Sequence, residues 1–246
     1  MSAWNGPGVG KRILKEGLGV AVGEQVAKED RQDLEFWGRL WCNARRPLVL
    51  SGAGISVASG LPTVGQRWNG IPLRTLFTRR RFESRPKEFF DCYRDWLWNW
   101  GRAEPNPAHR ALAAWGGRVV TLNVDGLHRK AGSSGCVELH GRLFELACRQ
   151  CGLILEARLA FREDVPRCPG CNSLLAPNMV FVGEPVRHFA TVMDWVGDAD
   201  LLVAIGTRLD VSPINQIPLA AHRKGIPLVR INRRAEVLVP ILVGRA

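Results

Sequence analysis

Nowhere in the 246 residues is there an apolar run of about 18, so the sequence offers no helix able to span a bilayer. The first thirty residues also lack the apolar core and cleavage site of a secretory signal. Lys11, Arg12 and Lys15 are followed by Glu16, Glu24, Glu29 and Asp30. These absences lead to the expectation of a cytoplasmic protein with no membrane partner. Acidic residues are scarce beside basic ones, 23 against 34, and the formal charge of +11 favours acidic partners such as nucleotides, nucleic acid or an acidic protein surface. The densest basic cluster, Arg79-Arg80-Arg81, has only Phe82 beside it where base stacking needs spaced aromatics. Nucleic acid is therefore permitted by the charge but indicated by no motif. Cysteines are odd in number, seven, and a chain without a signal argues against a disulfide framework.

What is present is an ordinary globular composition, 46% hydrophobic and 23% charged, in a chain long enough for one good core or for a core carrying a smaller insertion. The organising stretch is Leu48-Val-Leu-Ser-Gly-Ala-Gly-Ile-Ser56. A short apolar strand runs into Ser51, Gly52, Ala53 and Gly54, small residues that let backbone N–H groups approach a diphosphate, and the turn after them can open a helix. The spacing is not the Gly-x-Gly-x-x-Gly of a dehydrogenase, so an ordinary tight strand-to-helix turn stands beside the nucleotide reading.

Residues 1–32 read as a loosely held lead-in, with a helix allowed at Val20–Val26, and Asp33–Asn43 as a helix presenting Leu34, Trp37, Leu40 and Trp41 on one face. Pro86–Trp100 is predicted helical, with Phe89, Phe90, Tyr93, Trp96, Leu97 and Trp100 as a core or lid stripe. A further helix, 107–115, has Asn106 as its cap and Pro107 at its first position, and His109 reads as a partly buried helix residue. Further strands are predicted at Arg118–Leu122, Ala199–Ile205 and Pro227–Ile231. Strands alternating with helices point to an α/β fold, a Rossmann-like doubly wound parallel sheet whose ligands gather at the carboxyl ends of the strands. Ser51-Gly52, Asn123-Asp125, Gly206-Thr207 and Asn232 then fall on one edge.

Cys148-Arg-Gln-Cys151 and Cys168-Pro-Gly-Cys171 are separated by 16 residues, the spacing of a four-thiolate zinc ribbon. Four thiolates leave no open coordination position, so one structural zinc is expected, in a module at 145–178 that interrupts the sheet.

The ordered series Gly52-Ala-Gly-Ile-Ser-Val-Ala-Ser-Gly-Leu-Pro62, Thr121-Leu-Asn-Val-Asp-Gly-Leu-His128, Glu138-Leu-His-Gly141, the two cysteine pairs, Val182-Gly-Glu184, Gly206-Thr-Arg-Leu-Asp-Val-Ser-Pro213 and Ile231-Asn232 resembles the sirtuins, NAD-dependent protein-lysine deacylases. The match runs from about residue 33 to the end of the sequence. The resemblance implies a Rossmann-like NAD-binding domain of 33–62, 108–144 and 179–246, a helical cofactor-loop module of 63–107, the zinc ribbon, and NAD in the cleft between them. It implies that nicotinamide leaves as the acyl-lysine oxygen attacks the ribose. His140 then serves as the general base on a ribose hydroxyl, and the acyl group passes from lysine to ADP-ribose. It assigns Asn123 and Asp125 to a water and the nicotinamide carboxamide. Ile55 and Ser56 line the same pocket, Gly206, Thr207 and Asn232 hold the adenosine half, and Val182, Gly183 and Glu184 pair with the acyl-lysine peptide.

Four departures from the family pattern bear on activity. Val64 and Gly65 stand where phenylalanine and arginine are usual, with Arg67 or Trp68 as substitutes from a shifted loop. Leu122 replaces a glutamine. Arg208 replaces a serine and is able to meet a phosphate bidentately. The usual segment between Asn232 and the final helix, Ala235–Val243, is missing, leaving the adenine wall short. Phe90 and Tyr93 stand where the desuccinylating branch has tyrosine and arginine, so neutral acyl groups, acetyl first, are expected. An NAD hydrolase or ADP-ribosyltransferase, or a weakly active nucleotide-binding scaffold, are the alternatives.

Overall fold

Leu48, Val49 and Leu50 are too few for a helix and apolar at every position, the pattern of a strand in the middle of a parallel sheet. In the computed structural model, which describes residues 28–63, 65 and 67–244 without the side chains of Trp68 and Leu73, this run is β1, Pro47–Ser51. The following strands are β2 Arg67–Trp68, β3 Ile71–Pro72, β4 Arg118–Thr121, β5 Cys136–Glu138, β6 Gly141–Cys148, β7 Ile154–Glu156, β8 Leu175–Met179, β9 Leu201–Ile205 and β10 Leu228–Ile231. The order β10-β9-β1-β4-β5 forms one sheet in which every pairing is parallel. All four strands read from the sequence are in it, and β5 is added at its edge. Three residues at an edge carry too little periodicity to be seen in sequence.

Alternation along the strands builds the two faces. Val49, Val119, Val203 and Val229 pack under the helices Lys28–Asn43, Pro107–Trp115 and Ala235–Val243. Leu48, Leu50, Val120, Leu202 and Ala204 pack under Phe189–Asp198 and Gln216–Arg223. Asn106 caps its helix as read, its side chain accepting the Ala108 N–H at 3.0 Å, with Pro107 next. The helix Lys28–Asn43 takes in five described residues ahead of the predicted Asp33, and its Asp30 is buried and anchored by Arg233 (3.0 Å) and Arg234 (2.7 Å). The helix allowed at Val20–Val26 lies outside the described residues.

The aromatic helix Pro86–Trp100 forms as predicted, and its stripe is core. Phe89, Phe90, Tyr93, Trp96 and Trp100 share one hydrophobic cluster with Leu143, Leu146, Leu175 and Phe181, most of them from the antiparallel sheet β7-β6-β8. The Tyr93 hydroxyl donates to the Leu143 carbonyl, and Arg94 Nη1 donates to the carbonyls of Ala160 (2.9 Å) and Glu163 (3.2 Å). The helix and the cysteine-bearing segment therefore bury each other. Phe90 and Tyr93, read as acyl-selecting positions on a lid, are fully buried in this shared core.

Candidate functional site

Parallel register sets Ser51, Thr121, Glu138, Ile205 and Ile231 level at the carboxyl edge of the sheet. The backbone ladder runs one step further: Gly52 N–H donates to Ile205 O (2.9 Å), Leu122 N–H to Ser51 O (2.9 Å), Leu139 N–H to Thr121 O (3.0 Å) and Gly206 N–H to Ile231 O (2.8 Å). Gly52–Ser56, Asn123, Asp125, His140, Gly206, Thr207 and Asn232 all follow from this edge, although the sequence scatters them over 180 residues. His140 is carried there by β5, the strand the sequence did not disclose.

The glycine loop is shaped first by its neighbour strand. A Cβ on Gly54 would lie 2.6 Å from Gly206 Cα, and one on Gly52 would lie 2.7 Å from Thr207 Cβ. Gly206 itself has φ +64° and approaches Ile55 N, so two turns meet backbone to backbone. Gly54 N–H donates to Gly206 O at 2.9 Å and Ile55 N–H to Gly52 O at 3.0 Å. The N–H groups of Gly52, Gly54 and Ile55 are thus turned to carbonyls of the chain. The segment after them is a short 3₁₀ helix, Ala53–Ser59, rather than an α-helix.

Beneath the loop lies a buried polar cluster. Ser56 Oγ donates to Asp125 Oδ2 (2.7 Å), Asn123 Nδ2 donates to Ser56 Oγ and to Gly52 O (both 3.2 Å), and Leu127 N–H reaches Asp125 Oδ1 at 2.9 Å. Burial pushes the Asp125 carboxyl above its usual range, against the pull of the Leu127 and Ser56 hydrogen bonds. His109 Nε2 stands 3.4 Å from Ser56 Oγ, and His128 Nε2 stands 2.8 Å from Ser51 Oγ. The two imidazoles meet edge to face, 4.9 Å between centroids. Burial holds His109 down to about 3 and His128 to about 4, so both are neutral. His109 was read only as a helix residue. Nothing local in the sequence marks it, because its contact to Ser56 spans 53 positions.

His140 Nδ1 lies 2.7 Å from the Leu122 carbonyl. A carbonyl can only accept, so Nδ1 carries the proton and Nε2 keeps its lone pair. Burial lowers the imidazole's pKa, and the Leu122 hydrogen bond partly offsets this. The arrangement is that of a neutral base with a fixed tautomer.

The Sγ atoms of Cys148, Cys151, Cys168 and Cys171 lie within 4.8 Å of one another. Each knuckle closes on itself, Gly152 N–H donating to Cys148 O (2.9 Å) and Asn172 N–H to Cys168 O (2.8 Å). Four sulfurs on two such turns fit one tetrahedral zinc with no place for water, as the spacing implied.

Val182 is 60% exposed, yet its N–H donates to Phe77 O at 2.7 Å. The strand ends earlier, at Met179, and the Glu184 carboxylate turns inward to Arg79, Arg149 and the Phe181 N–H. Burial alone would raise the Glu184 pKa, but Arg149 and the Phe181 N–H hold it below its usual range. Gly65 is exposed, Val64 lies outside the described residues, and Arg67 Nη1 donates to Gly70 O (2.6 Å) inside its own hairpin. Arg208 pairs with Asp210 at 3.1 Å on the surface, and Asn232 is exposed just past β10.

The family model described as "Sir2 family" matches residues 52–213, which carry the glycine loop, Asn123, Asp125, His140, all four cysteines and Gly206. The chain belongs to the Sir2 family. Among similar proteins, an NAD-dependent protein deacetylase 1 of Pyrobaculum aerophilum is 38% identical over 226 residues, covering 80% of this chain and 89% of that protein. An NAD-dependent protein deacylase of Aeropyrum pernix is 36% identical over 207 residues, 79% of this chain and 83% of the relative. A crystal structure of a Sir2 homolog–NAD complex superimposes with TM-score 0.77 at 28% identity, over 85% of this chain and 92% of that one. A Sir2 protein bound to a propionylated peptide gives TM-score 0.74 at 29% identity, over 84% and 95%. The doubly wound sheet with its smaller cysteine-bearing part is thus a Sir2 fold. Among the described residues no helix is long and apolar enough to cross a membrane.

Proposed function

We propose that the chain is an NAD-dependent protein-lysine deacylase, acting in the cytoplasm on neutral acyl groups, acetyl first. The observation that carries this reading is His140, tied by Nδ1 to Leu122 O at 2.7 Å and placed on the same edge as Asn123, Asp125 and Ser56. The cofactor fits this edge because Gly54 and Gly206 meet backbone to backbone, with only Thr207 beside Gly52, and because the buried polar groups of Ser56, Asn123 and Asp125 converge beneath the loop. Gly206, Thr207 and Asn232 would hold its adenosine half, and Gly52–Ser56 with Asn123 and Asp125 would hold the nicotinamide half. Bound NAD supplies an electrophilic sugar carbon with nicotinamide as leaving group.

His140 accepts a proton at Nε2 from a sugar hydroxyl, and its lowered pKa keeps that nitrogen free at neutral pH. Asn123 and Asp125, cross-linked through Ser56, keep fixed positions with no reorganisation when they meet the carboxamide. The loop Val182–Gly183 takes the backbone of an acyl-lysine peptide, which reads the target's sequence weakly. NAD hydrolysis or ADP-ribosyl transfer is a second reading, motivated by Val64 in the sequence, where the family's phenylalanine would shield the reacting sugar from water.

Incubation with NAD, with and without an acetyl-lysine peptide, separates these readings when nicotinamide, ADP-ribose and O-acetyl-ADP-ribose are followed by mass spectrometry. Peptide-dependent O-acetyl-ADP-ribose, reduced roughly 10²–10⁴-fold by His140→Ala, is the expected result. Peptide-independent ADP-ribose favours the second reading, and NAD binding without products leaves only a scaffold.

A further inference from the structure

Glu184 is where three stretches of chain meet. Its Oε1 takes the guanidinium of Arg79, at the start of the helix Arg79–Ser84. Arg149, inside the Cys148–Cys151 knuckle, donates through Nη1 to Oε1 at 3.0 Å and through Nη2 to Oε2 at 3.2 Å. Oε2 also accepts the Phe181 N–H at 3.0 Å, while Glu184 N–H donates back to Phe181 O at 2.9 Å, closing a turn around Val182 and Gly183. Gly183 has φ +89°, a conformation that L side chains rarely adopt. The Arg149 guanidinium lies over the Phe181 ring, 5.1 Å from its centroid, and Val182 N–H is held by Phe77 O at 2.7 Å.

The Glu184 side chain is only 16% exposed, so few waters compete for its oxygens. Both oxygens are used, and the Arg149 contact is two-pronged, which a lysine could not reproduce. A carboxylate occupied in this way has no oxygen left to contact a peptide directly. Its effect is exerted on the loop.

We infer that Glu184 is a positioning residue that latches the Val182–Gly183 loop to the first cysteine knuckle through Arg149 and to the helical segment through Arg79, so that the metal-bound ribbon sets the shape of the peptide-binding loop. The role of the loop as peptide contact rests on the deacylase reading; the latch itself does not. Coupling of this kind is established by non-additivity between two sites.

The test uses the full, zinc-loaded chain as wild type, Arg149→Ala, Glu184→Gln, the double variant and Arg149→Lys. Hydrogen exchange of the Val182 amide and the KM values for acetyl-lysine peptide and for NAD are measured on each, with zinc content as a control. Each single variant is expected to speed Val182 exchange and raise the peptide KM by roughly three- to tenfold, the range for losing one partly covered charge-assisted contact. The NAD KM moves less, Arg149→Lys falls between wild type and Arg149→Ala, and the double variant is no worse than the more severe single. Effects that multiply in the double variant overturn the latch. So do Val182 exchange indifferent to both substitutions, or zinc lost on Arg149→Ala. A wild type that makes no O-acetyl-ADP-ribose while Val182 exchange still follows Arg149 and Glu184 refutes the deacylase reading and leaves the latch standing.

Discussion

Around β1 and β9 the polar groups of the site rest on a sheet that is covered by apolar layers on both faces, with Val49 and its neighbours on one side and Leu48 and Leu50 on the other. The three strands β6, β7 and β8 have one such layer, turned toward the aromatic helix, while Ile154 and Leu153 stay exposed on β7 and the turn before it, and the segment closes on four thiols. The sheet side, where NAD is proposed to bind, is therefore held by packing. The cysteine-bearing part, beside the loop proposed to take the peptide, is held by one shared aromatic core, by guanidinium–carboxylate contacts and by four thiols placed to bind one zinc. A protein built so should lose its two binding functions separately.

The largest effect is expected on the metal. Chelation, or Cys148→Ser, removes about one zinc per chain and with it a binding free energy on the order of 10–16 kcal/mol, much of it folding energy of the ribbon. Amides of β6 and β8 should then exchange quickly while those of β1, β4 and β9 stay protected. Simultaneous loss of protection in both sheets would show that the halves are one cooperative unit after all.

A smaller, opposite asymmetry is expected from pH. His109 and His128 are buried and neutral, with pKa held down to about 3 and about 4 against an ordinary 6.5. Unfolding lets them bind protons, so their contribution is whole above pH ~6.5 and is lost as pH falls toward those values, at up to about 1.4 kcal/mol per pH unit for each imidazole. Urea midpoints between pH 7 and pH 4.5 should fall steeply for wild type and less steeply for His109→Gln. Equal slopes would mean that the cofactor-side cluster does not govern acid stability.

The smallest expected effect concerns Asp125. Burial raises its pKa, so holding it ionised at neutral pH costs stability. Asp125→Asn keeps an oxygen for the Leu127 N–H and removes the charge. Its thermal midpoint should rise slightly, by about 1 kcal/mol in stability, while NAD-dependent deacylation falls. A lowered midpoint would make Asp125 a structural residue instead of one kept for chemistry.

Much of this organisation was legible in the sequence because it is local. Pro86–Trp100 and the Asn106-capped helix come from periodicity and capping within about fifteen residues, and the final helix Ala235–Val243 from the family resemblance. The cysteine cluster comes from spacing alone. What stayed hidden depends on contacts between distant positions: β5 is defined by its pairing with β4, and His109 matters only because Ser56 is folded against it. Glu184 looked like a residue facing substrate, since its motif does not tell which way a carboxylate turns. Arg149 on the knuckle decides that. The glycine loop was recognised by its small residues, but their tightest constraint is Gly206.

Tyr93 has a practical consequence. It is the only tyrosine in the chain, and it sits wholly covered between the aromatic helix and β6, its hydroxyl given to Leu143 O and its ionisation pushed far upward by burial. The phenolate colour that alkali brings out in most proteins thus belongs here to one atom at one seam. As long as helix and ribbon stay closed on each other it remains silent, which gives the molecule a native optical gauge of that closure requiring no label.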